Sequence, residues 1–236
     1  MPTLTIKERG YAHPELLADS AWLAEHLNDP KVRIVDVRPA DQYAAGHIPG
    51  AVNLATAGNI PREPNGDMGA PEAFAGLAAK LGISHGMTVV AYEGTQAGLL
   101  VWALRFFGHD DARYLDGGAM KWTAEERAQS MQAHSYPLGT FTAKPIPAQY
   151  CSLSQAKAAA GDGSVVFWDV RSPEEYSGAR PMGNLPAERS GHIPNAVNLD
   201  WNDLFDPITK TMKSATECRS MLVARGVKPE AEIVTY

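Results

Sequence analysis

Long apolar runs and dense positive charge are both missing from this sequence. No window approaches the roughly 18 consecutive apolar residues that a membrane-spanning helix needs, and the first fifteen residues carry charges where a signal peptide requires an apolar stretch. The net charge is −6 and no long Lys/Arg run occurs, so neither nucleic acid nor a membrane is expected as a partner. These absences favour a cytoplasmic protein.

Cysteine is also scarce. The two cysteines, Cys151 and Cys218, do not make a disulfide framework, and no Cys/His cluster has metal-ligand spacing, so no metal is expected. Free cysteines commonly behave as small buried apolar side chains, and that is the expectation for both. With 44% apolar residues in 236, the chain is able to bury the cores of two ordinary domains or of one large domain.

What the sequence does have is a long internal repeat. Three motifs occur twice and in the same order. The first is Asp-Val-Arg, which ends at Arg38 and at Arg171, and the second is Gly-His-Ile-Pro followed by Ala-Val-Asn-Leu, which contains His47 and His192. The third is Val-Ala-Tyr ending at Tyr92 and Val-Thr-Tyr ending at Tyr236. The two copies are called repeat one and repeat two below. Because both histidines recur, we expect them to have a structural role in a turn.

The repeats define a predicted domain division. Residues 178–189 of repeat two have no counterpart in repeat one, and their Pro and Gly content predicts an added surface loop. Residues 134–150 hold three prolines and separate the repeats, so we predict an extended linker there. The division is therefore a domain at 1–133, a linker at 134–150 and a second domain at 151–236.

Each repeat alternates short apolar or β-branched runs with stretches of helical spacing. The runs predict buried strands, and a helix is favoured where glycine follows the apolar pattern, as at Gly82 and Gly226. The predicted strands are 32–37, 88–92, 165–170 and 232–236, and the predicted helices are 21–27, 71–81 and 216–225. This alternation predicts an α/β fold with mostly parallel sheets and helices on both faces.

The repeated motifs, with Tyr43 to Leu54 in repeat one, resemble the signature of the rhodanese homology domain. Repeat two has Asn195 where that family usually has glycine, and Ala119 replaces the usual aromatic residue of its closing motif. The resemblance covers nearly the whole chain. Two such domains in one chain resemble the thiosulfate and 3-mercaptopyruvate sulfurtransferases, in which the first domain is usually inactive and the second carries the nucleophile. The resemblance implies no cofactor.

In that family the nucleophilic cysteine directly follows the strand that ends in a Val-Thr-Tyr-like run. This position is Glu93 in repeat one and the residue after Tyr236 in repeat two, where the given sequence ends, so no catalytic residue lies within it. We expect a continuation comparable to the segment from Glu93 to Trp122, either in a separate piece after a nick or beyond a chemically modified cysteine.

The chemistry expected at this position is sulfur transfer. A strand, a tight loop and a helix N-terminus direct several amides at one point, which lowers a thiol pKa. The thiolate attacks the outer sulfur of thiosulfate, sulfite leaves, and the persulfide passes its sulfur to cyanide or a thiol. Three alternatives remain open: 3-mercaptopyruvate as donor, a non-catalytic rhodanese module that binds proteins, and the related dual-specificity phosphatases. The sequence does not indicate the oligomeric state.

Three residues are the principal site candidates. Arg171 closes a buried strand and is predicted to bind the anionic donor, with a structural ion pair to Glu174 or Glu175 as the alternative. Arg180, in the added loop with Arg189, is predicted to attract anions to the site. Glu93 is predicted to replace the persulfide as the anion held by its own loop, with a solvent-facing side chain as the alternative.

Overall fold

The structure, a computed structural model, describes residues 4–55, 57–160, 163, 165–181 and 190–236. It forms two compact units, defined as the repeat-one unit (Ala12–Tyr150 and Thr209–Thr211) and the repeat-two unit (Met1–Tyr11, Cys151–Ile208 and Met212–Tyr236). The units differ from the predicted division in three respects. The predicted linker and Thr209–Thr211 belong to the repeat-one unit, and the N-terminal segment belongs to the repeat-two unit.

The repeat-one unit is an α/β structure around one sheet. Its strands are β1 (Leu17–Ala18), β2 (Val32–Asp36), β3 (Val52–Asn53), β4 (Thr88–Tyr92) and β5 (Ala112–Leu115). Its helices are α1 (Ser20–Glu25), α2 (Ala40–Ala45), α3 (Pro71–Lys80), α4 (Gly94–Phe106) and α5 (Gly118–Ala124). The strand order is β1-β5-β4-β2-β3 and every pairing is parallel, which confirms the predicted fold class.

Both faces of this sheet are covered because β2 and β4 alternate their side chains between two cores. One core contains Val35, Val89, Phe74 of α3 and Leu100 of α4. The other contains Ile34, Val90, Leu23 of α1, Tyr43 of α2 and Trp122 of α5. A central strand that is buried on both faces explains why residues 89–91 are all apolar.

The predicted linker, residues 134–150, lies against the repeat-one unit. Phe141 enters the core and meets the edge of the Phe74 ring, with the ring centroids 5.8 Å apart. The Tyr136 ring covers the buried guanidinium of Arg33, with 3.0 Å from Cζ to the ring centroid. The amide of Lys144 donates to the carbonyl of Phe107 at 2.9 Å. The extended segment is therefore part of the packing of this unit.

The repeat-two unit is built on a smaller parallel sheet. Its strands are β6 (Val165–Asp169), β7 (Val197–Asn198) and β8 (Glu232–Thr235), in the order β7-β6-β8. Its helices are α6 (Leu153–Ala159), α7 (Pro173–Ser177) and α8 (Ala215–Ala224). None of these helices has a buried residue, and Ile233 of the edge strand β8 is 39% exposed. Most of the predicted added loop, 182–189, lies outside the described residues.

The N-terminal segment, residues 4–11, is hydrogen-bonded within the repeat-two unit. The hydroxyl of Tyr11 donates to the carbonyl of Lys213 at 2.6 Å, and the guanidinium of Arg9 donates to the carbonyl of Met212. The amide of Ala215, the first residue of α8, donates to the carbonyl of Arg9 at 2.9 Å. The N-terminal segment therefore holds in place the residues that lead into α8.

Candidate active site

At the carboxyl end of β2, a buried carboxylate organises the strand end of repeat one. Asp36, fully buried, accepts from Nη2 of Arg38 at 2.6 Å and from the hydroxyl of Tyr92 at 2.7 Å. The same hydroxyl accepts from the amide of Ile48 at 3.2 Å. Arg38 also donates to the carbonyl of Gly46 at 2.8 Å. Burial raises the pKa of Tyr92, so this hydroxyl keeps its proton.

Repeat two builds the same arrangement at the carboxyl end of β6. Asp169 accepts from Nε of Arg171 at 2.9 Å, and Nη2 of Arg171 donates to the carbonyl of Gly191 at 2.8 Å. The hydroxyl of Tyr236 accepts from the amide of Ile193 at 2.9 Å. Burial raises the pKa of Tyr236 to about 12. The repeated sequence motif therefore corresponds to one repeated hydrogen-bond network.

Arg171, the predicted donor-binding residue, forms an ion pair with Asp169. The alternative interpretation, an ion pair with Glu174 or Glu175, named the wrong carboxylates. Hydrogen bonding to the Asp169 carboxylate raises the pKa of Arg171, so the side chain is charged. Its Cζ lies 5.3 Å from the centroid of the Tyr236 ring, which places the charge beside the end of β8. The side chain is 18% exposed, which leaves a limited surface for a ligand.

An asparagine that sequence reasoning left unassigned joins each strand end to the following loop. Nδ2 of Asn53 donates to the carbonyls of Asp36 and Arg38 at 3.0 and 2.9 Å. Asn198 makes the corresponding bonds to the carbonyls of Asp169 and Arg171. The signal was its recurrence in the Ala-Val-Asn-Leu motif, because one amide that holds two carbonyls fixes the loop that carries the arginine.

Each repeated histidine directly precedes a turn, which is closed by the bond from Ala51 to Ile48 in repeat one and from Ala196 to Ile193 in repeat two. The Nδ1 atom of His47 is 2.7 Å from the carbonyl oxygen of Tyr43, and the two rings stack with their centroids 3.7 Å apart. His192 and Tyr176 repeat this geometry at 2.8 Å and 3.8 Å. In both repeats the histidine joins a helix end to the next loop.

Glu93 directly follows β4 and is the first residue of the turn that begins α4. Its carboxylate makes no hydrogen bond to the first turn of α4 and accepts instead from the amide of Ala119 in α5, at 3.1 Å. The charge also contributes, after burial, to raising the pKa of Tyr114. The predicted contact with the amides of its own loop is therefore replaced by a contact with the neighbouring helix.

The side chain of Arg180 contacts Ser172, the residue that follows Arg171. Its Nη2 donates to the hydroxyl of Ser172 at 2.7 Å and is 3.6 Å from the carboxylate of Glu175. Sequence reasoning missed Ser172 and Glu175 as a pair, although Ser-Pro-Glu-Glu is the pattern of a capping box. Arg189 lies outside the described residues.

The two cysteines do not form a nucleophilic site. Both are free and half-buried, and burial raises the pKa of each thiol. A raised pKa disfavours the thiolate, which is the reactive form. Among the residues that the structure describes, no group of three His, Cys, Asp or Glu side chains is placed to hold a metal ion. No helix in that part of the chain is long and apolar enough to cross a membrane.

Comparison with known proteins gives a consistent set of similarities. The profile of the Rhodanese-like domain matches residues 19–125 and 152–236. The sulfur carrier protein TtuD of Thermus thermophilus is 37% identical over 239 residues, which cover 96% of this chain and 84% of that protein. A thiosulfate sulfurtransferase of Corynebacterium glutamicum is 35% identical over 211 residues, covering 84% and 69%. The crystal structure of SseA from Escherichia coli, a 3-mercaptopyruvate sulfotransferase, superposes with a TM-score of 0.79 at 26% identity, covering 93% of this chain and 87% of SseA.

Proposed function

Because this chain belongs to the rhodanese-like domain family, we propose that it is a sulfurtransferase that takes the sulfane sulfur of thiosulfate and passes it, through a cysteine persulfide, to a thiophilic acceptor such as cyanide. The donor is a small anion and the acceptor is a nucleophile. No organic cofactor takes part. The free thiols favour the cytoplasm as the compartment.

The observation that carries this proposal is the match between Tyr92 and Tyr236. The Tyr92 hydroxyl accepts from the amide of Ile48, and the Tyr236 hydroxyl accepts from the amide of Ile193. The carbonyl of Tyr92 accepts from the amide of Val37, and that of Tyr236 accepts from the amide of Val170. The residue after Tyr236 therefore corresponds to Glu93, which precedes the helix that follows the strand. We assign the nucleophilic cysteine to that position.

The surroundings of this position suit a thiolate. The guanidinium of Arg171 lies beside Tyr236, and a nearby cation favours the charged form of a thiol. The thiolate attacks the outer sulfur of thiosulfate, and the S–S bond breaks as sulfite leaves with its electron pair. The acceptor then attacks the terminal sulfur of the persulfide, which releases the thiolate. Cyanide becomes thiocyanate in this second step.

Arg171 and Arg180 are the residues to which we assign binding of the anionic donor. Arg171 is oriented by Asp169 and Gly191, so its position is fixed before the donor arrives. Arg180 is 58% exposed and has more of its guanidinium open to a ligand. Guanidinium groups offer several N–H donors in a planar array, which suits the oxygen atoms of thiosulfate.

The test combines persulfide detection with a matched pair of variants in the full-length protein. Thiosulfate treatment should add the mass of one sulfur atom, and cyanide should remove it. Arg171→Lys should raise the KM for thiosulfate about tenfold because the two-pronged contact is lost. Arg38→Lys, which breaks the same bond in repeat one, should leave the KM unchanged. Equal effects of the two variants would contradict the assignment of Arg171.

3-Mercaptopyruvate is the second candidate donor, because SseA, to which the chain is similar, is described as acting on it. The persulfide and the fold would be the same. The ratio of kcat/KM for thiosulfate to that for 3-mercaptopyruvate decides between the donors. A protein that forms no persulfide with either donor would instead support the non-catalytic module.

A further inference from the structure

Three side chains meet at the N-terminus of α7, immediately after Arg171. The hydroxyl of Ser172 accepts from Nη2 of Arg180 at 2.7 Å and donates to the carboxylate of Glu175 at 3.0 Å. That carboxylate also accepts from the amide of Ser172 at 3.2 Å. The backbone amide of Arg180 donates to the carbonyl of Glu174 at 3.1 Å. Arg180 is thus held at both its backbone and its guanidinium.

Repeat one has no such arrangement, although it repeats the Asp-Arg-Tyr network. Pro39 takes the position of Ser172, and α2 begins without a side-chain cap. Gln42 takes the position of Glu175, and Arg180 belongs to the segment that has no counterpart. Both networks keep a strand end in place, so the additional contacts in repeat two are not needed for that purpose.

The burial of these side chains differs in a way that suits positioning. The side chain of Glu175 is 18% exposed, while that of Arg180 is 58% exposed. The carboxylate is therefore the anchored partner and the guanidinium is the open one. Because Ser172 follows Arg171 in the chain, the bond to Ser172 keeps the Arg180 side chain at the segment that leaves β6.

We propose that Ser172 and Glu175 are positioning residues that hold Arg180 beside Arg171 for binding of the anionic sulfur donor. The proposal rests on the proposed function, which it deepens. Ser172 and Glu175 do not touch the donor and act through Arg180. Loss of the serine hydroxyl frees the guanidinium and weakens binding of the donor, while the rate of sulfur transfer from bound donor is unchanged.

The test is a double-mutant cycle in the full-length protein. Ser172→Ala should raise the KM for thiosulfate about fivefold with kcat unchanged, as expected for loss of a charged hydrogen bond at a half-exposed site. Ser172→Thr keeps the hydroxyl and should restore the wild-type KM. In an Arg180→Gln background, Ser172→Ala should have no further effect on the KM. An effect that persists in that background means that Ser172 acts only by capping α7, and overturns the proposal.

A second measurement does not depend on activity. The Nη–H signals of Arg180 in ¹⁵N-labelled protein should be protected from exchange with water in the wild type, because Nη2 donates to Ser172, and should lose that protection in Ser172→Ala. A wild-type protein without activity toward either donor would refute the proposed function, while the NMR result would still decide whether Ser172 holds Arg180. An Arg180 signal that is equally unprotected in both proteins overturns the positioning role.

Discussion

The Tyr92 hydroxyl links Asp36 to the turn that contains Ile48, and Tyr92→Phe removes this hydroxyl with little change in shape. The hydroxyl donates to the Asp36 carboxylate at 2.7 Å and accepts from the amide of Ile48 at 3.2 Å. Both Tyr92 and Asp36 are 0% exposed, so water does not replace the lost bonds. The variant therefore leaves a buried amide without an acceptor and a carboxylate oxygen with one donor fewer.

The expected cost follows from these two bonds. A hydrogen bond to a charged group contributes about 1.5–3 kcal/mol, and an orphaned buried polar group costs about 1–3 kcal/mol. Arg38 still holds the carboxylate, so the loss lies near the lower ends of these ranges. We expect the repeat-one unit to lose about 3 kcal/mol of unfolding free energy. Tyr236→Phe is the matched control, and because Tyr236 is half-buried we expect a loss of about 1 kcal/mol.

Native-state hydrogen exchange measured peptide by peptide is the appropriate assay, because a chain with two compact units need not unfold in one step. The amides of β2 and β4 should lose protection in Tyr92→Phe, and those of β6 and β8 in Tyr236→Phe. Equal losses in the two variants, or a loss below about 1 kcal/mol in Tyr92→Phe, would refute the argument that burial sets the strength of this network.

Three further predictions follow from the described contacts. Burial lowers the pKa of His109, so the free energy of unfolding of the repeat-one unit should be greatest above about pH 6.5 and should fall as the pH drops below it. In urea unfolding at pH 5 to 7, His109→Gln should flatten this dependence, and an unchanged slope would contradict the prediction. Phe141→Ala should cost about 3 kcal/mol in urea unfolding and Phe141→Leu about 1 kcal/mol, whereas similar small losses would mean that residues 134–150 pack loosely. Cys151 and Cys218 should react with iodoacetamide at pH 7 more slowly than glutathione does, because burial raises both thiol pKa values, and rapid labelling of either would show otherwise.

The regular elements were predictable where one local signal dominated. The β-branched and apolar run 88–92 is β4 to the residue, and the helix predicted at 71–81 is Pro71–Lys80. A run of five residues rich in β-branched side chains is too short for a helix and favours a buried strand. Gly82, with its φ of 69°, marks the end of a helix. The internal repeat predicted that the chain contains two related α/β units, because a motif that occurs twice is expected to form the same local structure in both copies.

The partners of the charged site residues were less predictable. Glu174 and Glu175 follow Arg171 by three and four residues, the spacing of helical ion pairs. Asp169 precedes Arg171 by two residues and lies on the same side of the extended chain, so it is the carboxylate that Arg171 contacts. Glu93 reaches Ala119, 26 residues away, and nothing local indicates such a contact. The contact of Glu93 depends on how α5 packs beside the end of β4, and that packing is not encoded in the residues next to Glu93.

The N-terminal segment has a consequence for how the chain can fold during synthesis. Arg9 is among the first residues to be made, and its partner Met212 follows 203 residues later. The whole repeat-one unit is synthesised in the interval, so the segment must wait while another unit acquires its structure. One cut at residue 150 would likewise separate Arg9 and Tyr11 from Met212 and Lys213. The repeats are consecutive in sequence, but the units that they form are interleaved, and a single boundary does not yield two self-sufficient halves.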